Sequence, residues 1–221
     1  MTARPARTAS SLAAVVLTAA CMSYYEIPIE TPIRVEVRDE QVPSEALYFI
    51  FRTPPDGTRE CDALDLGLAV LAEGDSSRLT ARLVRKEQLV QFVAGGMQRL
   101  IGGVSIGLLI LRTMPGADLA QVEAIVNEEL AAFAADGPTA DEIERVKAQA
   151  ERAFLDSVGT AESLADQLSK YATLFDDPNK LNTALDDLLS VDAAEIQAAA
   201  AATLTATNQL VLSYHLQETS V

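Results

Sequence analysis

The sequence predicts an α+β domain, a mostly antiparallel sheet with helices packed on one face. Three observations predict it. Apolar segments of strand length occur early in the chain, near its middle and at its end. Between the last two runs a long tract of helical apolar periodicity, punctuated by capping signals. No internal repeat of about 20–50 residues suggests a solenoid instead.

The 221 residues suffice for a real hydrophobic core, and 49% are apolar, with much Ala and no Trp. The formal net charge is −15, and no Lys/Arg cluster or aromatic–basic stripe offsets it. Such a surface repels phosphate backbones, so no nucleic-acid partner is expected, and the acidity reads as solubility.

Residues 1–20 stand apart. Arg4 and Arg7 precede an apolar run, Leu12 to Ala20, that ends in small residues before Cys21. This is the layout of a secretory signal, and the run is too short to span a bilayer. The chain is therefore expected to be exported, periplasmic or envelope-attached. Thr18-Ala19-Ala20-Cys21 resembles a bacterial lipobox, with Thr18 where Leu, Val or Ile is usual. Cys21 is thus a candidate lipidation site, and a lipid would be the only membrane attachment. Residues 21–33, with Pro28, Thr31 and Pro32, read as a linker, and residues 34–221 as the domain.

Within the domain, Arg34 to Arg38 alternates with period two, as a half-exposed strand does. Ala46 to Phe51 is continuously apolar, as a buried strand is. Thr53-Pro54-Pro55-Asp56-Gly57 stops it. Residues 61–73 form a helix with Leu64, Leu68 and Leu71 on one face. After Gly74-Asp75, Ser76-Ser77 caps a second helix with Leu79 and Leu83 apolar and Arg78, Arg82 and Arg85 basic. Val90 to Gln98 and Val104 to Thr113 are strand-like, and Gly102-Gly103 between them suggests a hairpin. Gly95-Gly96 reads as a strand irregularity.

Asp118-Leu119-Ala120-Gln121 has the pattern of a capping box, opening a helix with Leu119, Val122, Ile125, Val126, Leu130 and Phe133 in one stripe. Gly137-Pro138 ends it. Thr139 to Glu142 is a second box, opening a helix with Ile143, Val146, Ala150 and Phe154 inward. Leu164, Leu168, Tyr171 and Phe175 continue the pattern in a third. Asp176-Asp177-Pro178 breaks the chain before a short helix with Leu181, Leu185 and Leu188. Asp192 to Glu195 caps a last, Ala-rich helix. Gln209 to Leu216 closes the fold as a strand, with Leu210, Leu212, Tyr214 and Leu216 on one face and His215 beside Ser213 on the other.

His215 is the single histidine. HExxH and HxxEH each need two, so neither zinc motif can exist here. No GxSxG elbow offers a nucleophile for a triad, and GxGxxG and the P-loop are absent. With two cysteines, Cys21 and Cys61, a cysteine zinc site is excluded by count, and Cys61 reads as a small core residue. Paired carboxylates such as Asp141/Glu142 and Asp186/Asp187 read as helix caps and solvated surface. No catalytic, cofactor-binding or metal-ligating residue is expected in this chain.

One set of segments points to a family. Phe51-Arg52-Thr53-Pro54-Pro55 is followed by an apolar helix, Gly74 to Leu79, and then Leu83-Val84-Arg85-Lys86-Glu87-Gln88-Leu89. Further on come Gly137-Pro138-Thr139 with Glu142 to Lys147, then Asp177-Pro178 and Val191 to Ile196. From Arg34 to the C-terminus, this order resembles the C-terminal, non-zinc domain of insulinase/pitrilysin-type metallopeptidases. The resemblance implies the half-domain fold of the mitochondrial processing peptidase type. It also implies a partner: a zinc-bearing peptidase subunit or homologous half-domain carrying HxxEH, which together with this half encloses a peptide substrate. Zinc is expected on that partner and no cofactor in this chain, which alone would cleave no peptide. An alternative is a structural or assembly protein of the envelope using the same fold without proteolysis. Active members of the family often supply an Arg and, seven residues on, a Tyr; those positions here are Val84 and Gln91. Arg85, one residue off, and Gln91 are the weak substrate-contact candidates.

Overall fold

The computed structural model describes residues 33–39, 44–101 and 103–216. The signal-like segment, Cys21, the linker up to residue 32, and Gly102 of the expected hairpin lie outside the described residues. The strands are β1 (Ile33–Asp39), β2 (Ala46–Thr53), β3 (Val90–Gln98), β4 (Ser105–Thr113) and β5 (Gln209–Leu216). The helices are α1 (Arg59–Ala72), α2 (Thr80–Lys86), α3 (Leu119–Asp136), α4 (Ala140–Ser157), α5 (Ala161–Leu174), α6 (Ala184–Leu189) and α7 (Ala193–Thr203).

The sheet order is β1-β5-β2-β4-β3. β1 and β5 run parallel, and the other neighbours are antiparallel. The architecture is the expected α+β one, with a mixed sheet. Alternation along the strands decides what each face meets. Leu47, Phe49 and Phe51 of β2, with Leu109 and Leu111 of β4, are at most 1% exposed. They form one core with Leu64, Leu68 and Leu71 of α1, Val126 and Phe133 of α3, and Ile196 of α7. Each such side chain contributes roughly 1.5–3 kcal/mol by leaving water. The other face carries a smaller cluster, Ile50, Ile106, Leu210 and Leu212, flanked by Val35, Val37, Tyr48 and Tyr214. Tyr48 and Tyr214 meet edge-on at 5.7 Å.

The caps are mostly those read from the sequence. Thr139 and Glu142 satisfy each other's backbone N–H groups, as do Asp192 and Glu195. A third reciprocal pair, Thr160 and Ser163, opens α5. At α3 the reciprocal box is not formed: Asp118 accepts from Ala120 N at 2.9 Å, and the exposed Gln121 does not answer.

Three other expectations change. α2 is wound as a π-helix, with Glu87 N donating to Arg82 O five residues back. Leu79 and Leu83 are still fully buried, and Val84 packs against the core beside them. Gly95 is not the strand's irregularity. A Cβ there would stand 2.6 Å from Ala72 Cβ and 2.7 Å from Leu109 Cδ2, so Gly95 lets α1 seat on the sheet. The irregularity lies between Val90 and Phe92. Finally, α5 does not continue an inward-facing stripe, because none of its residues is buried. Leu164 and Leu168 are 38% and 40% exposed. Tyr171 and Phe175 fare better: they meet at 5.5 Å, and Phe175 lies against Gly57.

Candidate functional site

The strand ends build a cleft. β2 and β4 pair Ala46 with Arg112, while β3 pairs Val90 with Thr113 and Phe92 with Arg112. Gln91 is the extra residue of that bulge, which re-aims its side chain. Thr113 donates twice to Glu45 O, from N and from Oγ1, each at 3.0 Å. Met114 N donates to Leu89 O at 2.9 Å. These bonds gather the start of β2, the start of β3 and the ends of β4 and β5 around a cleft of about 410 Å³. Ser44, Glu45, Gln91, Arg112, Met114 and Leu216 line it.

Its polar groups are unevenly satisfied. Glu45 Oε1 meets His215 Nδ1 at 3.3 Å, and His215 Nε2 meets Ser213 Oγ at 3.2 Å. Arg112 has no carboxylate within 4.0 Å among the described residues. Ser44 Oγ is shielded from solvent and has no hydrogen-bond partner. A buried hydroxyl left unpaired costs about 1–3 kcal/mol.

The other charged groups fasten elements together. Arg78 holds Glu142 in a fork, Nε to Oε1 and Nη2 to Oε2 at 2.7 Å each, and its Nη2 also donates to Gly137 O at 2.9 Å. Its guanidinium lies 5.0 Å over the Phe133 ring. Burial alone would raise the Glu142 pKa, but the bonds from Arg78 and Thr139 win and hold it at about 2. Arg99 faces three carboxylates: Asp56 at 2.8 Å, Asp65 at 3.2 Å, and Asp62. Lys170 of α5 reaches Asp56 at 3.4 Å. Desolvation pushes Asp56 upward, yet Arg99 and Lys170 outweigh it and its pKa falls. For Asp65 desolvation prevails over Arg99, and its pKa rises. Burial likewise lifts the Cys61 thiol to about 11, which suits an inert core residue.

Of the residues singled out in the sequence, Gln91 lies in the cleft. Arg85 is exposed and is not part of the cleft lining. Cys21 lies outside the described residues. The unpaired Ser44 hydroxyl and Arg112 were not anticipated, since nothing in their neighbours announces a cleft. Zinc does not fit the residues present. The sequence has one histidine, and among the described residues no group of three His, Cys, Asp or Glu side chains could hold a metal. No helix among the described residues is long and apolar enough to cross a membrane.

Residues 23–150 match the family described as the Peptidase M16 inactive domain, more than half of the chain. The chain belongs to that family. Solved structures agree on the M16 fold. A protease from Helicobacter pylori superposes with a TM-score of 0.76 at 18% identity, over 85% of this chain and 44% of that one. The inactive peptidase domain of a proposed zinc protease from Bordetella parapertussis gives 0.74 at 20% identity, over 84% and 97%. The periplasmic protease PqqL from Escherichia coli gives 0.68 at 15%, over 85% and 21%. This M16 chain thus spans under half of the Helicobacter protein and nearly all of the Bordetella domain. No curated protein sequence gives a match.

Proposed function

We propose that this M16 domain is the non-catalytic half of a two-part zinc peptidase. It packs against a half bearing HxxEH and zinc, and the two enclose a peptide substrate. The observation that carries the reading is the family match in a chain with a single histidine. The 44% coverage of the Helicobacter protease supports it, since that chain has room for a second domain of similar size. The signal-like residues 1–20, and the periplasmic location of PqqL, support export to the periplasm or envelope, with Cys21 as the lipidation candidate.

Co-purification from the native host tests the reading. A partner with HxxEH is expected, with chelator-sensitive cleavage of a quenched peptide only in the mixture. A partner lacking the motif would turn the reading to a structural or assembly role. One zinc per chain with cleavage by the isolated protein would overturn it.

A further inference from the structure

The geometry points to the sheet-end cleft as a binding site for the carboxylate end of a peptide. At about 410 Å³ it lies within the range of roughly 300–1,000 Å³ for ligand pockets. Its polarity is directional. Arg112 brings a guanidinium with no described carboxylate within 4.0 Å, the geometry that takes a carboxylate in a two-bond fork. Ser44, which also lines the cleft, has a shielded hydroxyl without a partner, and rotation about its Cα–Cβ bond would let it donate to a bound carboxylate. Opposite in charge, Glu45 engages His215 through Oε1, which leaves Oε2 to accept from a peptide N–H. A ligand with several carboxylates is repelled there; one with a single terminal carboxylate and a neighbouring N–H is matched at both ends. Gln91, swung out by the bulge, offers an amide that can donate or accept, and Met114 and Leu216 provide an apolar wall for the last side chain. In a chain of net charge −15, Arg112 and Glu45 balance each other, so the cleft is locally neutral and turns an anionic terminus away less than the rest of the surface does.

The inference rests on the peptide-chamber reading only for the source of the peptide. It is tested on the isolated full chain, so a missing partner leaves it open to decision. The probe is dansyl-Ala-Ala-Ala-Leu, whose label carries no carboxylate, with a free C-terminal carboxylate, followed by fluorescence anisotropy, against the same peptide as the C-terminal amide. The acid is expected to bind saturably and at least tenfold more tightly than the amide. Arg112→Gln should weaken the acid at least tenfold, and Arg112→Lys should restore part of the loss. Should Arg112→Gln fail to fold, the acid–amide comparison on the unmodified chain decides alone. Equal binding of acid and amide, no binding at millimolar protein, or unchanged affinity in folded Arg112→Gln would overturn the assignment. So would free leucine competing as well as the unlabelled peptide, which would make the ligand an amino acid.

Discussion

Gly57 sits in the turn between β2 and α1 with φ at +89°, and a Cβ there would stand 2.5 Å from Phe175 Cε1. Backbone strain and side-chain clash therefore coincide at one residue. Gly57→Ala is expected to cost about 1–3 kcal/mol, measured as a fall in the denaturant midpoint. Glu142 gives a pH-dependent counterpart. Its pKa is held at about 2 against an ordinary 4.5. A depressed carboxylate contributes stability that is complete above its unfolded pKa and drains away as pH falls through the folded one. Wild-type protein should thus lose this increment between about pH 4.5 and pH 2. Glu142→Gln should lack it already at pH 7, at a cost of about 1–3 kcal/mol, and show a flatter stability profile across that window. Equal slopes for both proteins in acid titrations would refute the assignment.

At the level of elements, the Arg99 cluster ties the turn before α1, α1 itself and α5 to the far end of β3. Its carboxylates are unequal. Asp56 is stabilised as an anion by its neighbours, while Asp65 is penalised by burial. Asp56→Asn should therefore destabilise the fold by about 1–3 kcal/mol and speed amide exchange in α5. Asp65→Asn should leave the melting temperature unchanged or raise it. A larger loss from Asp65→Asn would reverse the ranking. None of this was visible in the sequence, because Arg99 meets partners 34 to 43 residues away, joined only by the tertiary fold. Local patterns fared better. Continuous apolar runs located β2 and β4, period-two alternation located β1 and β5, and Thr139 and Asp192 marked their helix starts, since each signal depends on residues within about four positions. The π-winding of α2 escaped because Leu79 and Leu83 satisfy an α-helical stripe equally well. Glycine is the usual sign of a bulge, so the sequence points to Gly95-Gly96; the extra residue is Gln91, which carries no such mark. The sequence therefore does not announce the cleft, although Gln91 is one of its candidate contact residues.

Across the whole molecule, the family and the layer architecture could be read from the order of segments, but the strand order could not. Period two says that a segment is a strand and nothing about its neighbour. β5 enters between β1 and β2, pairing Val35 with Leu212 on one side and Tyr48 with Leu212 on the other. Truncation after Asn208 removes the strand that joins β1 to the rest and deletes Val211 from the main core. The truncated chain should show no cooperative thermal transition by circular dichroism; a sharp melt would mean that β2, β4 and β3 with their helices fold without it.

The position of β5 also sets a timetable. A strand inside the sheet is made after every other strand of it, so β1 to β4 wait with open edges and a half-built core while α3 to α7 are synthesised. Such long-range closure is slow and leaves apolar surface exposed meanwhile. For as long as residues 209–216 are still inside the ribosome, the nascent chain remains a client for chaperones and proteases.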